Sequence, residues 1–325
     1  MQNKTDFTLS AYKQLISTLQ AQGYFFQTFK GFIQNPKEKV LILRHDVDRL
    51  PENALKMARM EDNAGIKASY YFRIVKKSYD ENIIKKIAEM GHEIGYHYEN
   101  LSEINCLAQR RPSTISRTYG VNKGAKKDKR TENRIEHREN RKEELFELAL
   151  EDFERNLEKF RKIYPVKTIC MHGSPLSKWD NRDLWKRYDY RDYGIIAEPY
   201  FDLDFDEVFY LTDTGRRWDG AAVSVRDKVN SGTKDGFAPR RQVAKITAQN
   251  SKMKAQKWPK FHSTFDIIEV VEAGIFPDKA MLTVHPQRWT DNPLAWTKEL
   301  FWQNCKNVNK KGMISRKDAK PQRII

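Results

Sequence analysis

The residues best suited to chemistry in this chain stand at the end of an apolar run. Val40-Leu41-Ile42-Leu43 passes without a break into Arg44-His45-Asp46-Val47-Asp48. Charge at the end of a buried strand costs several kcal/mol unless a metal, a partner or a substrate compensates it. Three further stretches finish in the same way: Tyr96-His97-Tyr98-Glu99, Met171-His172-Gly173-Ser174-Pro175 and His285-Pro286-Gln287-Arg288-Trp289. Together the four hold four of the chain's seven histidines. Carboxylates with imidazoles suit a divalent ion such as zinc, held by three protein ligands with one position open to water. Water on such an ion becomes a nucleophile near neutral pH, a second carboxylate can take its proton, and a histidine can protonate the leaving group. This inventory predicts metal-assisted hydrolysis.

Each group also has a structural alternative. Asp48 could cap the helix that starts near Pro51, but Asp46, two residues earlier, would then still point to the same side of the strand. His92, after Gly91 at a helix end, is expected to be structural, and His137 and His262 are given no role. Arg216, Arg217 and Trp218, in Thr212-Asp213-Thr214-Gly215-Arg216-Arg217-Trp218, offer fork-like donors and an indole for sugar hydroxyls or a phosphate, or else form a surface turn. Arg288 and Trp289 directly follow His285 and are expected to touch substrate, with a core position the alternative for Trp289.

The elements that must position these residues follow from periodicity. Leu9, Tyr12, Leu15, Ile16 and Leu19 recur at helical spacing before Gly23. The strand at Val40 is followed by a helix from Pro51, a stop at Gly65 and the strand-like Ala68 to Phe72. A helix through Ile83, Ile84, Ile87 and Met90 ends at Gly91, and Glu93 to His97 follows as a strand. After a long helix from Leu145 to Phe160 come strand candidates at Val166–Met171, Ile195–Ala197, Val208–Leu211 and Met281–Val284, then a terminal helix from Pro293 to Val308. Repeated β-α units imply parallel strands joined by right-handed crossovers, in a closed barrel or an open sheet, with the site at the strand C-terminal ends in either case.

Composition narrows the class. At 325 residues, 39% hydrophobic and 32% charged, the chain reads as one soluble globular domain over 1–325, and no apolar stretch approaches the roughly 20 residues of a membrane span. Met1 to Phe7 lacks the apolar core of a secretory signal, which predicts a cytoplasmic address. Cys106, Cys170 and Cys305 form no Cys-x-x-Cys pair, which argues against a disulfide framework or thiolate zinc. The net charge of +15 is concentrated between Gln109 and Lys142, where 12 Lys and Arg face 4 Asp and Glu. That stretch reads as a flexible basic insertion, a solvated loop. The rival reading makes it an anion-binding arm for nucleic acid or lipid, but it has one aromatic residue and no nucleic-acid motif, so no specific nucleic-acid partner is expected.

At these motifs the chain resembles the polysaccharide deacetylases of the NodB-homology type, carbohydrate esterase family 4. Val40 to Asp48 looks like that family's Thr-Phe-Asp-Asp-Gly motif, Gly91-His92-Glu93-Ile94-Gly95-Tyr96-His97 like its Gly-His-Glu-Ile-Gly-Asn-His, and Leu282-Thr283-Val284-His285 like its late Leu-x-x-His. Two departures stand out: Val47 separates the two aspartates, and Leu101 occupies the place of the family's second metal histidine. The resemblance covers about Val40 to Trp289 and points to a divergent subgroup, without a signal, linked with surface-polysaccharide biosynthesis. It implies an incomplete (β/α) barrel with mostly parallel strands, and a divalent metal, zinc before others. Asp48, His97 and His172 would be the ligands, with Glu99 the alternative to His172. Asp46 would be the base and His285 the acid in removing an N-acetyl group from an amino sugar or a glycan-biosynthesis intermediate, with an exchange of roles between Asp46 and Asp48 the alternative. A metal-dependent amidohydrolase acting on a non-sugar amide and an inactive relative are the alternatives.

Overall fold

The computed structural model describes residues 5–110, 131–174, 177–218 and 261–318. Its centre is one all-parallel sheet built from β1 (Phe25–Gln27), β2 (Val40–Val47), β3 (Ser69–Phe72), β4 (Glu93–Tyr98), β5 (Ile169–Met171), β6 (Phe209–Thr212) and β7 (Lys279–Val284). The order across the sheet is β5-β4-β3-β2-β7-β6, and β1 lies beside the first half of β2. The helices are α1 (Leu9–Ala21), α2 (Phe29–Gln34), α3 (Pro51–Asn63), α4 (Glu81–Glu89), α5 (Asn100–Arg110), α6 (Thr131–Arg161), α7 (Pro199–Asp202), α8 (Thr264–Glu272) and α9 (Pro293–Asp318). The sheet curls with helices around it, which makes the chain an incomplete (β/α) barrel, as the β-α rhythm and the resemblance led us to expect. None of the described helices is long and apolar enough to cross a membrane.

Strand alternation divides the interior into two cores. Leu41, Leu43, Val47, Tyr70, Phe72, Ile94, Tyr96, Ile169, Leu282 and Val284 face the helices in the larger one. Ile42, Tyr71, Cys170, Tyr210 and Met281 face inward in the smaller. With a side-chain period of two, the same parity sends Arg44, Asp46 and His97 inward. β2 is central because it is paired on both sides, through Arg44–Val47 to β3 and through Val40–His45 to β7. All eight of its residues are buried, and a strand covered on both faces reads as a continuous apolar run until function interrupts it.

Local chemistry explains the helix boundaries. The side chains of Thr8 and Asp80 accept from the Ala11 and Ile83 amides to cap α1 and α4, and Ser263 with Asp266 forms a capping box on α8. Asp48 does not cap α3. The cap residue there is Leu50, in the left-handed region with φ +54° and with no side-chain cap, so Asp48 is free of that duty. Ile195–Ala197 forms only an isolated bridge, Thr168 to Ala197, in place of the expected strand. The basic stretch is helical at both described ends, 109–110 within α5 and 131–142 within α6, in place of the expected loop. Residues 111–130 lie outside the described residues.

Gly95 is required by close approach. A Cβ there would stand 2.3 Å from Cε1 of Tyr71 and 3.1 Å from the Thr168 carbonyl oxygen. Glu93, two residues earlier on the strand, lies buried on the same face, accepting from Ser69 Oγ at 2.6 Å, from Thr168 Oγ1 and from the Lys30 amide, and so ties β3, β4 and the entry to β5 together. We predict that Gly95→Ala lowers stability by roughly 1–3 kcal/mol through overpacking against Tyr71. The denaturation midpoint reads this, and an unchanged midpoint would show that Tyr71 can move aside freely.

Candidate metal centre

Three strand ends bring Asp48, His97 and His172 together. His172 Nε2 lies 3.4 Å and His97 Nε2 3.8 Å from Asp48 Oδ1, and all three donor atoms lie within 4.8 Å of one another. Each imidazole is held by its other nitrogen. His97 Nδ1 donates to the Cys170 carbonyl at 3.0 Å, and His172 Nδ1 donates to Glu99 Oε2 at 2.9 Å. Both acceptors lack a proton, so both Nδ1 atoms carry hydrogen and both Nε2 lone pairs face Asp48. Glu99 is itself held by Arg73 Nε at 2.7 Å and Nη2 at 2.5 Å. Glu99 therefore orients His172 and is not an alternative to it.

His97 Nε2 is almost as close to Asp46 Oδ2, at 3.7 Å, so distance alone does not choose between the aspartates. Their other partners do. Arg44 grips Asp46 with Nε on Oδ1 at 2.9 Å and Nη2 on Oδ2 at 2.6 Å. Asp48 accepts from Gln287 Nε2 at 3.1 Å on Oδ2, while its buried Oδ1 has no hydrogen-bond partner. A buried carboxylate oxygen left bare and facing two imidazole lone pairs is costly without a cation. The donor set, one carboxylate and two imidazoles, suits a divalent ion of the zinc type. Asp46, His97 and Cys170 form a second close group, but Arg44 already engages both Asp46 oxygens.

His285 lies close enough for its charge to act on both Asp46 and Asp48. Its Nδ1 donates to Asp213 Oδ1 at 2.6 Å, which leaves Nε2 unengaged by that contact. Asp213 follows β6, beside β7, and is completely buried. It also accepts from the His285 amide at 2.9 Å, Arg288 Nη1 at 2.5 Å and Trp289 Nε1 at 2.8 Å. From sequence, Asp213 has no role beyond membership of the Thr212 to Trp218 segment. A carboxylate directly after a strand beside the His285 strand is the signal that could have marked it as the partner of His285.

Electrostatics fit these roles. Burial raises the Asp46 carboxyl, but the Arg44 guanidinium and then His97 outweigh it and hold the pKa below the ordinary value. Burial likewise opposes ionisation of Asp48, and the surrounding His172, His285 and His97 overcome it. For Asp213 the opposing charges of Arg288 and His285 outweigh burial and leave the pKa at about 2. Burial pushes His97 down to about 4, so it is a neutral ligand at ordinary pH. Burial also lowers His172, but Asp48 and Glu99 win and raise it.

The remaining expected residues separate. Arg288 lines a cavity of about 560 Å³ beside Asp48 and His172, whereas Arg216, Arg217, Trp218 and Trp289 do not line it. Trp289 is fully buried against Phe7 and Tyr12, and Trp218 is buried with Nε1 on Thr264 Oγ1 at 3.0 Å. Both indoles are core, which corrects their assignment to substrate: Trp289 donates to Asp213 Oδ2 and Trp218 packs against Trp289. Arg216 is buried between the Phe7 and Trp296 rings, and exposed Arg217 donates to His262 Nδ1 at 3.2 Å. His45, counted among the strand-end histidines, faces away from the site, with Nε2 on Glu61 Oε1 at 2.7 Å. His92 is structural as expected, accepting from the Ala68 amide and donating to the Ala58 carbonyl.

Fold and donor set define an incomplete (β/α) barrel with a candidate divalent-metal centre at the C-terminal ends of its strands. No known family model, curated protein or solved structure matches this chain.

We predict that the purified chain binds a divalent ion, and that His97→Ala and Asp48→Asn each weaken it by more than the roughly 10- to 100-fold expected for Glu99→Gln, which removes only an orienting partner. Affinity should fall as pH falls, first through protonation of His172, whose pKa is raised, and again near pH 4 as His97 gains a proton. Metal content by mass spectrometry after dialysis checks this. Equal content in wild type and His97→Ala would remove His97 from the site.

Proposed function

We propose that the protein is a metal-dependent hydrolase that removes an N-acetyl group from an amino sugar or a glycan-biosynthesis intermediate. The observation that carries the reading is the division of labour between neighbouring strand ends. A ligand group with one bare carboxylate oxygen shares the strand C-terminal face with a clamped carboxylate, Asp46, and a carboxylate-backed imidazole, His285. The three similar motifs noted in the sequence supply the substrate class.

When bound by Asp48, His97 and His172, a divalent ion would supply Lewis-acid polarisation of an acyl carbonyl and a lowered pKa for water. Asp46, kept ionised and aimed by Arg44, accepts the proton of the attacking water. His285, with Nδ1–H fixed on Asp213, uses Nε2 to protonate the departing amine. Asp213 stabilises the imidazolium and holds its tautomer, the division of labour between carboxylate and imidazole found wherever such a pair serves acid–base chemistry. Arg288 donates to both the Asp213 carbonyl and its carboxylate, so the acid is braced from two sides.

One observation favours a second reading within the same chemistry. No Phe, Tyr or Trp lines the cavity among the described residues, so no large aromatic platform for stacking a sugar ring stands there. A small non-sugar amide is the substrate class to test in parallel.

Acetate release from a panel of N-acetyl sugars, with acyl amides alongside, tests the reading. We expect chelator-sensitive turnover, and Asp46→Asn and His285→Ala to lower kcat by roughly 10²- to 10⁴-fold. Asp213→Asn should lose at least about 10²-fold with metal content unchanged, because it removes the partner of His285 and none of the ligands, and its denaturation midpoint reads the separate cost of leaving Arg288 unpaired. Turnover insensitive to chelator, or absent across the whole panel, sinks the deacetylase reading.

A further inference from the structure

We propose that the cavity beside Asp48 and His172 receives a phosphate group of the substrate, an inference that rests on reading this site as a hydrolytic centre. The walls carry six cationic side chains, Arg49, Arg73, Lys76, Lys77, Arg288 and Lys306, against two carboxylates, Asp48 and Glu299. Three of the cations already have acidic partners: Arg49 pairs with Glu299, Arg73 with Glu99 and Arg288 with Asp213. Lys76, Lys77 and Lys306 form no ion pair within 4 Å among the described residues, although Glu299 and Asp48 lie near enough to act on Lys306. An ion on the ligand group would also cancel the charge of Asp48, making the cavity more electropositive when the centre is loaded.

Three exposed ammonium groups lining one cavity, none in an ion pair, suit a ligand of more than one negative charge. A monoanionic carboxylate would balance one of them, whereas a phosphate or diphosphate carries about two or more and offers several acceptor oxygens, for which lysine is a suitable point-charge donor. The lysines come from two places in the chain, the loop after β3 and the helix α9, so the cation cluster exists only in the fold. At about 560 Å³ the cavity is within the range of small-molecule sites and can hold such a group with part of the molecule that bears it.

Phosphate could arrive on a soluble nucleotide-linked compound or on a lipid headgroup, and the test separates the two. The full-length chain, with and without chelator, is titrated with uridine diphosphate, with vesicles containing phosphatidate in phosphatidylcholine, and with glucuronate. We expect one of the two phosphate probes to bind without metal, and Lys76→Ala/Lys77→Ala/Lys306→Ala together to weaken it at least about tenfold, the order expected for lost charge-assisted hydrogen bonds. Circular dichroism of the triple variant shows whether it is folded, and Lys306→Glu alone, on the exposed face of a helix, provides a second reading of the same loss. Failure of both phosphate probes, glucuronate binding as tightly, or binding indifferent to these variants overturns the proposal. The two readings fail separately. Acetate release from a neutral N-acetyl sugar without phosphate binding removes the phosphate site alone, and phosphate binding without acetate release from any compound removes the hydrolase alone.

Discussion

The buried pairing of Arg44 with Asp46 is the interaction on which the rest of the site depends. Both side chains are almost wholly enclosed, at 1% and 5% exposure, in the strand with the most neighbours in the sheet. Desolvating two charges there is expensive, and the bidentate grip with its two hydrogen bonds is what makes it tolerable. Removing one partner of such a pair costs about 3–5 kcal/mol because the other is left as an uncompensated charge. The Arg44 guanidinium also lies over the Tyr71 and Tyr200 rings. Tyr71 in turn occupies the space that Gly95 leaves open, so the charge pair and the packing around His97 are one structure.

From that anchor the site is assembled by a repeated device. Each imidazole is fixed at Nδ1 and left open at Nε2: His97 by the Cys170 carbonyl, His172 by Glu99, His285 by Asp213. In each case the acceptor belongs to a different strand end from the imidazole, and β4 pairs with β5 as β6 pairs with β7. Sheet pairing therefore sets both the distance and the orientation of the functional nitrogens, so no mobile side chain has to find its partner.

The opposite face of β2 has its own polar centre, which explains why the strand carries a histidine that the site does not use. Glu61, buried on α3, accepts from His45 Nε2 at 2.7 Å, from Tyr70 Oη at 2.7 Å and from Tyr12 Oη. These contacts join α1, α3, β2 and β3 beneath the metal centre. His45 also stacks on Tyr70 with ring centroids 4.3 Å apart. A buried carboxylate with three donors fixes the relative positions of those elements, since any shift would leave one of its donors unsatisfied at roughly 1–3 kcal/mol. The strand thus presents one polar cluster for chemistry and another for holding that chemistry in place.

The parallel β-α architecture, the helices at Leu9 and Pro51 and the strand-end residues Asp46, Asp48, His97, His172 and His285 were legible in the amino-acid sequence, because apolar periodicity and polar strand endings are local properties. The long helix, by contrast, begins at Thr131, well before the expected Leu145, and the helices Asn100–Arg110 and Thr264–Glu272 were not read. Other assignments depended on contacts between residues far apart in the chain. Nothing in the run from Arg44 to Asp48 says which aspartate is left bare; that follows from Arg44 folding back on Asp46 while Gln287, 239 residues away, reaches only one oxygen of Asp48. Trp218 and Trp289, suited by type to a sugar, were drawn into the core by Thr264 and Asp213, and Glu99 became the support of His172 where it had been an alternative to it. Alternation along a strand determines which side a residue faces, but only the curl of the sheet decides what it meets there.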